Sequence, residues 1–132
     1  MNQDICLIGL NHRTAPVEVR EKFALSAVED MASRLLGGPA REALVLSACN
    51  RVELLAVGDG DSLPGHIMDA WAGAVGRPVA ELAPHVYLHT GAEAVNHVFR
   101  VAASLDSMIV GEPQILGQLK EAYRKSVACC SA

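Results

Sequence analysis

Along this chain apolar residues occur as short continuous runs and as periodic stripes, and the two patterns predict different elements. Ile5-Cys6-Leu7-Ile8-Gly9-Leu10 is a run of strand length, and Asn11-His12 followed by Arg13-Thr14-Ala15-Pro16 reads as its exit loop. From Val17 to Leu36 the residues Phe23, Val28, Met31, Leu35 and Leu36 recur at roughly helical intervals. Ser26, three residues before Glu29, predicts an N-cap for that helix, and Gly37-Gly38-Pro39 stops it. The stretch Ala43 to Val57 is apolar apart from a polar interruption at Ser47-Ala48-Cys49-Asn50-Arg51. Fully extended it would span about 50 Å, against about 17–20 Å for an ordinary strand, so it must fold back on itself. The interruption predicts two antiparallel strands with Cys49-Asn50-Arg51 at or beside the reversal.

Gly58-Asp59-Gly60-Asp61 reads as a turn, and its two aspartates fall short of a calcium-loop pattern. Leu63 to Val75 places Ile67, Ala70, Trp71, Ala74 and Val75 on one side of a second helix. Val86-Tyr87-Leu88-His89 predicts a fourth strand, and Thr90-Gly91 leads into a helix from Ala92 to about Leu105. The order β-α-β-β-α-β predicts one α+β domain over residues 1–132, a ferredoxin-like sandwich followed by additional C-terminal helices. Those helices are the Ala92 segment and Gln114 to Ser126, joined by a loop from Asp106 to Pro113.

At 51% apolar and 20% charged residues the composition is that of a globular domain. No window approaches the length a membrane helix needs, and the start of the chain lacks a basic segment leading into an apolar one. A cytoplasmic protein without a membrane partner is expected. The formal net charge of −4 excludes a broadly basic nucleic-acid binder and confines any such contact to a local patch. Cys6, Cys49, Cys129 and Cys130 form no C-x-x-C pair, so neither a metal site nor a disulfide framework is expected. No glycine-rich dinucleotide or nucleotide-phosphate fingerprint occurs.

Cys49 is the first candidate nucleophile. A thiol at a strand reversal reaches solvent, and neighbouring Arg51 favours the thiolate that attacks electrophiles. Cys6, between Ile5 and Leu7, reads as a packing residue. Of the histidines His12, His66, His85, His89 and His97, the last stands out as a proton-transfer partner. It lies outside the stripe Val95, Val98, Phe99, Ala102 and Leu105, on the track of Arg100, Val101 and Ser104. An exposed surface histidine is the alternative reading. The segment "LDSMIVGEPQ" is either a capped helix junction, with Asp106 or Ser107 as N-cap and Pro113 at N1, or the lining of a polar pocket.

"GLNHRTAPVEVREK", "LSACNRVEL" and "NHVFRVAASLDSMIVGEPQILGQLK", in that order, resemble three successive signature blocks of the glutamyl-tRNA reductases, from Ile5 to about Ser126. The resemblance implies a catalytic domain acting on glutamate esterified to tRNA, which the family reduces with NADPH to glutamate-1-semialdehyde at the entry to tetrapyrrole synthesis. It implies Cys49 as the nucleophile that forms a glutamyl thioester, and His97 as a residue that orients substrate or assists proton transfer. Ala48, Cys49, Asn50 and Arg51 match the family's first substrate-binding stretch; Ser107, Glu112, Pro113, Gln114 and Gln118 match the second. An arginine fork suits the substrate carboxylate, and by charge Glu112 suits its α-ammonium. The chain departs from the family at Ala48, where Thr is common, and at Ser104, where Gly is common.

The family continues into an NADPH-binding and a dimerisation domain, both expected to be absent from residues 1–132. The domain alone is then expected to form and hydrolyse the thioester without reducing it. Implied partners are glutamyl-tRNA, a second copy through the missing domain, and the next enzyme of the pathway, glutamate-1-semialdehyde aminomutase. Two rival readings use the same residues. One is a non-catalytic tRNA-binding module gripping RNA through Arg13, Arg20, Lys22 and the basic end Lys120 to Lys125; the other is a thiol esterase acting on small esters.

Overall fold

The computed structural model describes residues 4–48, 51–104 and 108–111. Its centre is a five-stranded sheet in the order β4-β1-β3-β2-β5, in which each neighbouring pair is antiparallel. The strands are β1 (Asp4–Asn11), β2 (Ala40–Ala48), β3 (Arg51–Gly58), β4 (Tyr87–Thr90) and β5 (Met108–Gly111). β1, β2 and β3 read as continuous apolar runs because helices cover both faces of the sheet. On β3 every residue from Val52 to Gly58 is buried.

On one face α2 (Val28–Leu35) and α3 (Leu63–Val75) pack over Cys6, Ile8, Leu10, Val45, Leu54 and Ala56. On the other, α5 (Gly91–Ser104) seats Ala94, Val95 and Val98 on Leu7, Leu44, Leu55 and Val57. This division follows from the two-residue period of a strand, which sends alternate side chains to opposite helices. Cys6 is buried as expected, and burial pushes its thiol pKa up to about 11.

The helix expected from Val17 to Leu36 is interrupted. It becomes α1 (Val17–Lys22) and α2, with Ala27 rather than Ser26 at the N-cap of α2 and no side-chain cap bond. The core imposes the break: Phe23 turns inward, edge-on to Trp71, and the Trp71 Nε1–H donates to the Phe23 carbonyl at 3.0 Å. A buried indole N–H needs an acceptor, and a carbonyl freed from the helix ladder supplies one. Gly37 and Gly38, both at positive φ, then make the turn into β2.

The predicted reversal falls between Ala48 and Arg51, the last paired residues of β2 and β3. The predicted loop from Asp106 to Pro113 instead contains β5, whose Met108 and Val110 pair with Ser47 and Val45 on the edge of β2. Four strand-forming residues beside an open edge satisfy that edge's backbone groups, which a loop would leave unpaired. A one-turn helix, α4 (Val79–Leu82), follows Pro78. The predicted helix from Gln114 to Ser126 lies outside the described residues. No helix among the described residues is long and apolar enough to cross a membrane.

Candidate active site

Three strands place Tyr87, Gly9 and Glu53 side by side, since Gly9 of β1 pairs with Tyr87 of β4 on one side and with Glu53 of β3 on the other. Their shared face is the one covered by α5. A Cβ on Gly9 would lie 2.7 Å from the Glu53 Cγ and 2.8 Å from the Tyr87 hydroxyl oxygen. The absent side chain is therefore what lets Tyr87 reach across β1 and donate its hydroxyl to Glu53 Oε2.

Glu53 is 1% exposed, and a buried carboxylate is costly unless donors surround it. Three converge on the same oxygen: the Tyr87 hydroxyl, Arg51 Nη1 at 3.2 Å and His97 Nε2 at 2.5 Å. Burial first, and then the negative charge of Glu53 and the bond to it, push the Tyr87 pKa far above the ordinary tyrosine range, with Arg51 opposing. The hydroxyl thus stays a proton donor.

His97 comes from α5 and is half-buried. Because its Nε2 faces a carboxylate oxygen, that nitrogen carries the proton, and Nδ1 is left as the basic atom of the neutral ring. The ring also lies against His89, with centroids 4.5 Å apart and planes tilted by 30°. Burial, and secondarily the charge of a protonated His97, lower the His89 pKa.

Beside this cluster opens a cavity of about 310 Å³, lined by Asn11, His12 and Arg13 from the β1 exit, Arg51 from β3, and His97, Arg100 and Val101 from α5. The β1 exit loop is tied by its own first residue. Asn11 Oδ1 accepts the backbone N–H groups of Arg13 and Thr14 at 2.9 and 3.1 Å, and Thr14 Oγ1 accepts that of Asn11 at 3.0 Å. Such an Asx turn holds a polar loop in one shape without a flanking strand.

Of the residues singled out in the sequence, Arg51 and His97 are brought together through Glu53, and Ala48 ends β2 opposite Arg51. Cys49, Asn50, Ser107, Glu112, Pro113, Gln114 and Gln118 lie outside the described residues. Arg51 is not a free cation: Nη1 is paired with Glu53, while Nε is buried with no partner among the described residues. His97 is not a free surface histidine, because it shares that carboxylate. Glu53, Tyr87, Gly9 and Asn11 are the residues that sequence reasoning passed over. Two signals were present: a carboxylate inside the apolar run "VELLAV", and a glycine inside a strand, which marks a close approach.

The family model described as "Glutamyl-tRNAGlu reductase, N-terminal domain" matches residues 8–132. A glutamyl-tRNA reductase of Nitratidesulfovibrio vulgaris (strain Miyazaki F) is 56% identical over 129 residues, covering 96% of this chain and 29% of that protein. One from Lawsonia intracellularis is 54% identical over 127 residues, covering 94% and 29%. The solved structure of the glutamyl-tRNA reductase from Methanopyrus kandleri superposes with a TM-score of 0.56 at 31% identity, covering 94% of this chain and 28% of that one. The chain thus spans about 29% of the length of the curated relatives it matches. With a family model matching nearly its whole length and relatives above half identity, this chain belongs to the glutamyl-tRNA reductase N-terminal domain family.

Proposed function

We propose that this chain is the acylation domain of a glutamyl-tRNA reductase, in which Cys49 takes the glutamyl group from tRNA as a thioester. The observation that carries the reading is the Glu53–His97 pair, closed at 2.5 Å, whose His97 lines a cavity together with Arg51, two residues from Cys49 in sequence. In this mechanism His97 Nδ1 accepts the Cys49 thiol proton, and the thiolate attacks the ester carbonyl carbon. A C–S bond forms, the bond from that carbon to the ribose oxygen breaks, and the imidazolium returns its proton to the leaving oxygen. Glu53 holds the ring and stabilises its protonated form. Arg51 receives the substrate carboxylate through the part of its fork not engaged by Glu53. Ala48, Asn50, Ser107, Glu112, Pro113, Gln114 and Gln118 complete the substrate site in this reading.

A ferredoxin-like sandwich is the finer fold we infer. The strand order β4-β1-β3-β2 and the placement of α2 and α3 on one face support it, with α5 and β5 as additions. The family implies NADPH, which reduces the thioester to glutamate-1-semialdehyde for tetrapyrrole synthesis. The described residues do not fit that cofactor: the sheet is antiparallel, and β1 leads into the Asn11–Ala15 turn rather than a glycine-rich turn opening a helix. The hydride step is therefore assigned to none of them. Dimerisation and hand-over to the aminomutase belong, in this reading, to the longer family enzyme.

Single-turnover deacylation of glutamyl-tRNA by the chain tests the proposal. The reaction should give a thioester that hydrolyses slowly and is not reduced, and His97→Asn should slow its formation by about 10²- to 10⁴-fold, the usual worth of a positioned proton-transfer group. Deacylation at the wild-type rate in His97→Asn would remove His97 from the chemistry.

A further inference from the structure

We propose that Arg13 and Arg100 form a phosphate-binding subsite beside the acylation site, which takes the backbone phosphate of the nucleotide carrying the ester. The inference rests on the proposed function and names the part of the RNA that this cavity grips.

The cavity lining contradicts the charge of the chain. The whole sequence carries −4, yet among the described residues the cavity lining presents three arginines and two histidines and no carboxylate. These charges are graded in depth. The Arg51 side chain is 16% exposed and engaged by Glu53, whereas Arg13 and Arg100 are exposed and have no carboxylate within ion-pairing distance among the described residues. An anionic ligand that enters therefore meets Arg13 and Arg100 as the uncompensated charges.

The geometry favours a phosphate at that level. A guanidinium fork matches phosphate oxygens, and a phosphodiester stays ionised at any pH where the protein is folded. The ester sits on the ribose of a terminal nucleotide whose own phosphate is one sugar away. A site that brings the carbonyl to the His97 level thus brings that phosphate next to the outer arginines. Arg100 stands three residues beyond His97 on α5, and Arg13 leaves β1 beside the Asn11–Arg51 pair. Both are also presented in advance: the Asx turn pins the backbone of Arg13, and Arg100 Nε donates to the Asn96 carbonyl at 3.4 Å. A pre-ordered loop spends less binding energy on immobilisation.

The test uses the 132-residue chain with two probes. In NMR titrations, adenosine 5′-monophosphate should shift the side-chain Nε–H signals of Arg13 and Arg100, and adenosine should not. For glutamyl-tRNA, Arg13→Gln with Arg100→Gln should weaken binding by about ten- to a hundredfold, as for loss of charge-assisted hydrogen bonds. The slope of log affinity against log salt should become shallower by about 0.7, the value for one phosphate no longer neutralised. The double Lys variant should restore the slope, which a folding defect would not permit.

Unchanged affinity and slope in the double Gln variant would overturn the subsite, as would equal shifts from adenosine. Adduct formation by the wild-type chain is read separately by mass. Its absence contradicts the proposed function, while the adenosine 5′-monophosphate titration still judges the subsite.

Discussion

Tyr87 and Glu53 sit on strands that are not neighbours, and their side chains meet because the residue between them, Gly9, has none. The contact fixes one carboxylate oxygen, and through it both the Arg51 guanidinium and the His97 ring. A position that looks featureless in a strand thus sets the geometry of the proposed acid–base pair.

Replacing Gly9 by Ala tests this directly. The new methyl would sit 2.7 Å from the Glu53 Cγ and 2.8 Å from the Tyr87 hydroxyl oxygen, so one of them must shift and strain the bond between them. A loss of about 1–3 kcal/mol in urea unfolding is expected, the usual cost of overpacking. Deacylation should slow with it.

Tyr87→Phe removes one of three donors from the buried carboxylate and leaves the ring in place. It should cost about 1–3 kcal/mol, the penalty for leaving a buried acceptor short of a partner. Because the folded-state pKa of Tyr87 is raised above the unfolded value, its contribution is present below about pH 10. It is lost as pH rises beyond that. Wild-type stability should fall on the alkaline side of pH 10 more steeply than that of Tyr87→Phe.

Cys6 adds an earlier alkaline decline. Its pKa is raised from 9.0 to about 11, so stability is complete below about pH 9 and falls as pH rises toward 11, by about 3 kcal/mol in all. Unfolding midpoints of Cys6→Ala between pH 9 and 10 should be flat where those of the wild type decline.

His89 acts at the acid end. Its pKa is lowered by burial and by His97, so the unfolded chain takes up a proton before the folded one as pH falls. Stability should therefore decline as pH drops below about 6.5. His89→Phe, which keeps an aromatic ring against His97, should flatten that limb; an unchanged acid limb would remove His89 as its source.

Much of this fold is legible from the sequence because burial dictates it. The length of "ALVLSACNRVELLAV" requires a reversal, and Cys6, Ile67 and Trp71 take the core positions that their runs and stripes predict. The break before α2 is not legible, because it answers to Trp71, 48 residues away, whose indole needs the Phe23 carbonyl. The site is half legible for a related reason. His97 and Arg51 advertise their chemistry as residue types, but Glu53 hides inside an apolar run. What joins the three is the seating of α5 on the sheet face that carries Glu53, a contact between residues 44 apart that no local pattern encodes.

The central claim is that this domain takes the glutamyl group onto one thiol, and intact-mass spectrometry of the chain after mixing with glutamyl-tRNA tests it most directly. The account predicts a gain of one glutamyl group, mapped to the peptide carrying Cys49, lost in Cys49→Ser and slowed in Glu53→Gln. An adduct of the same mass that persists in Cys49→Ser would contradict it.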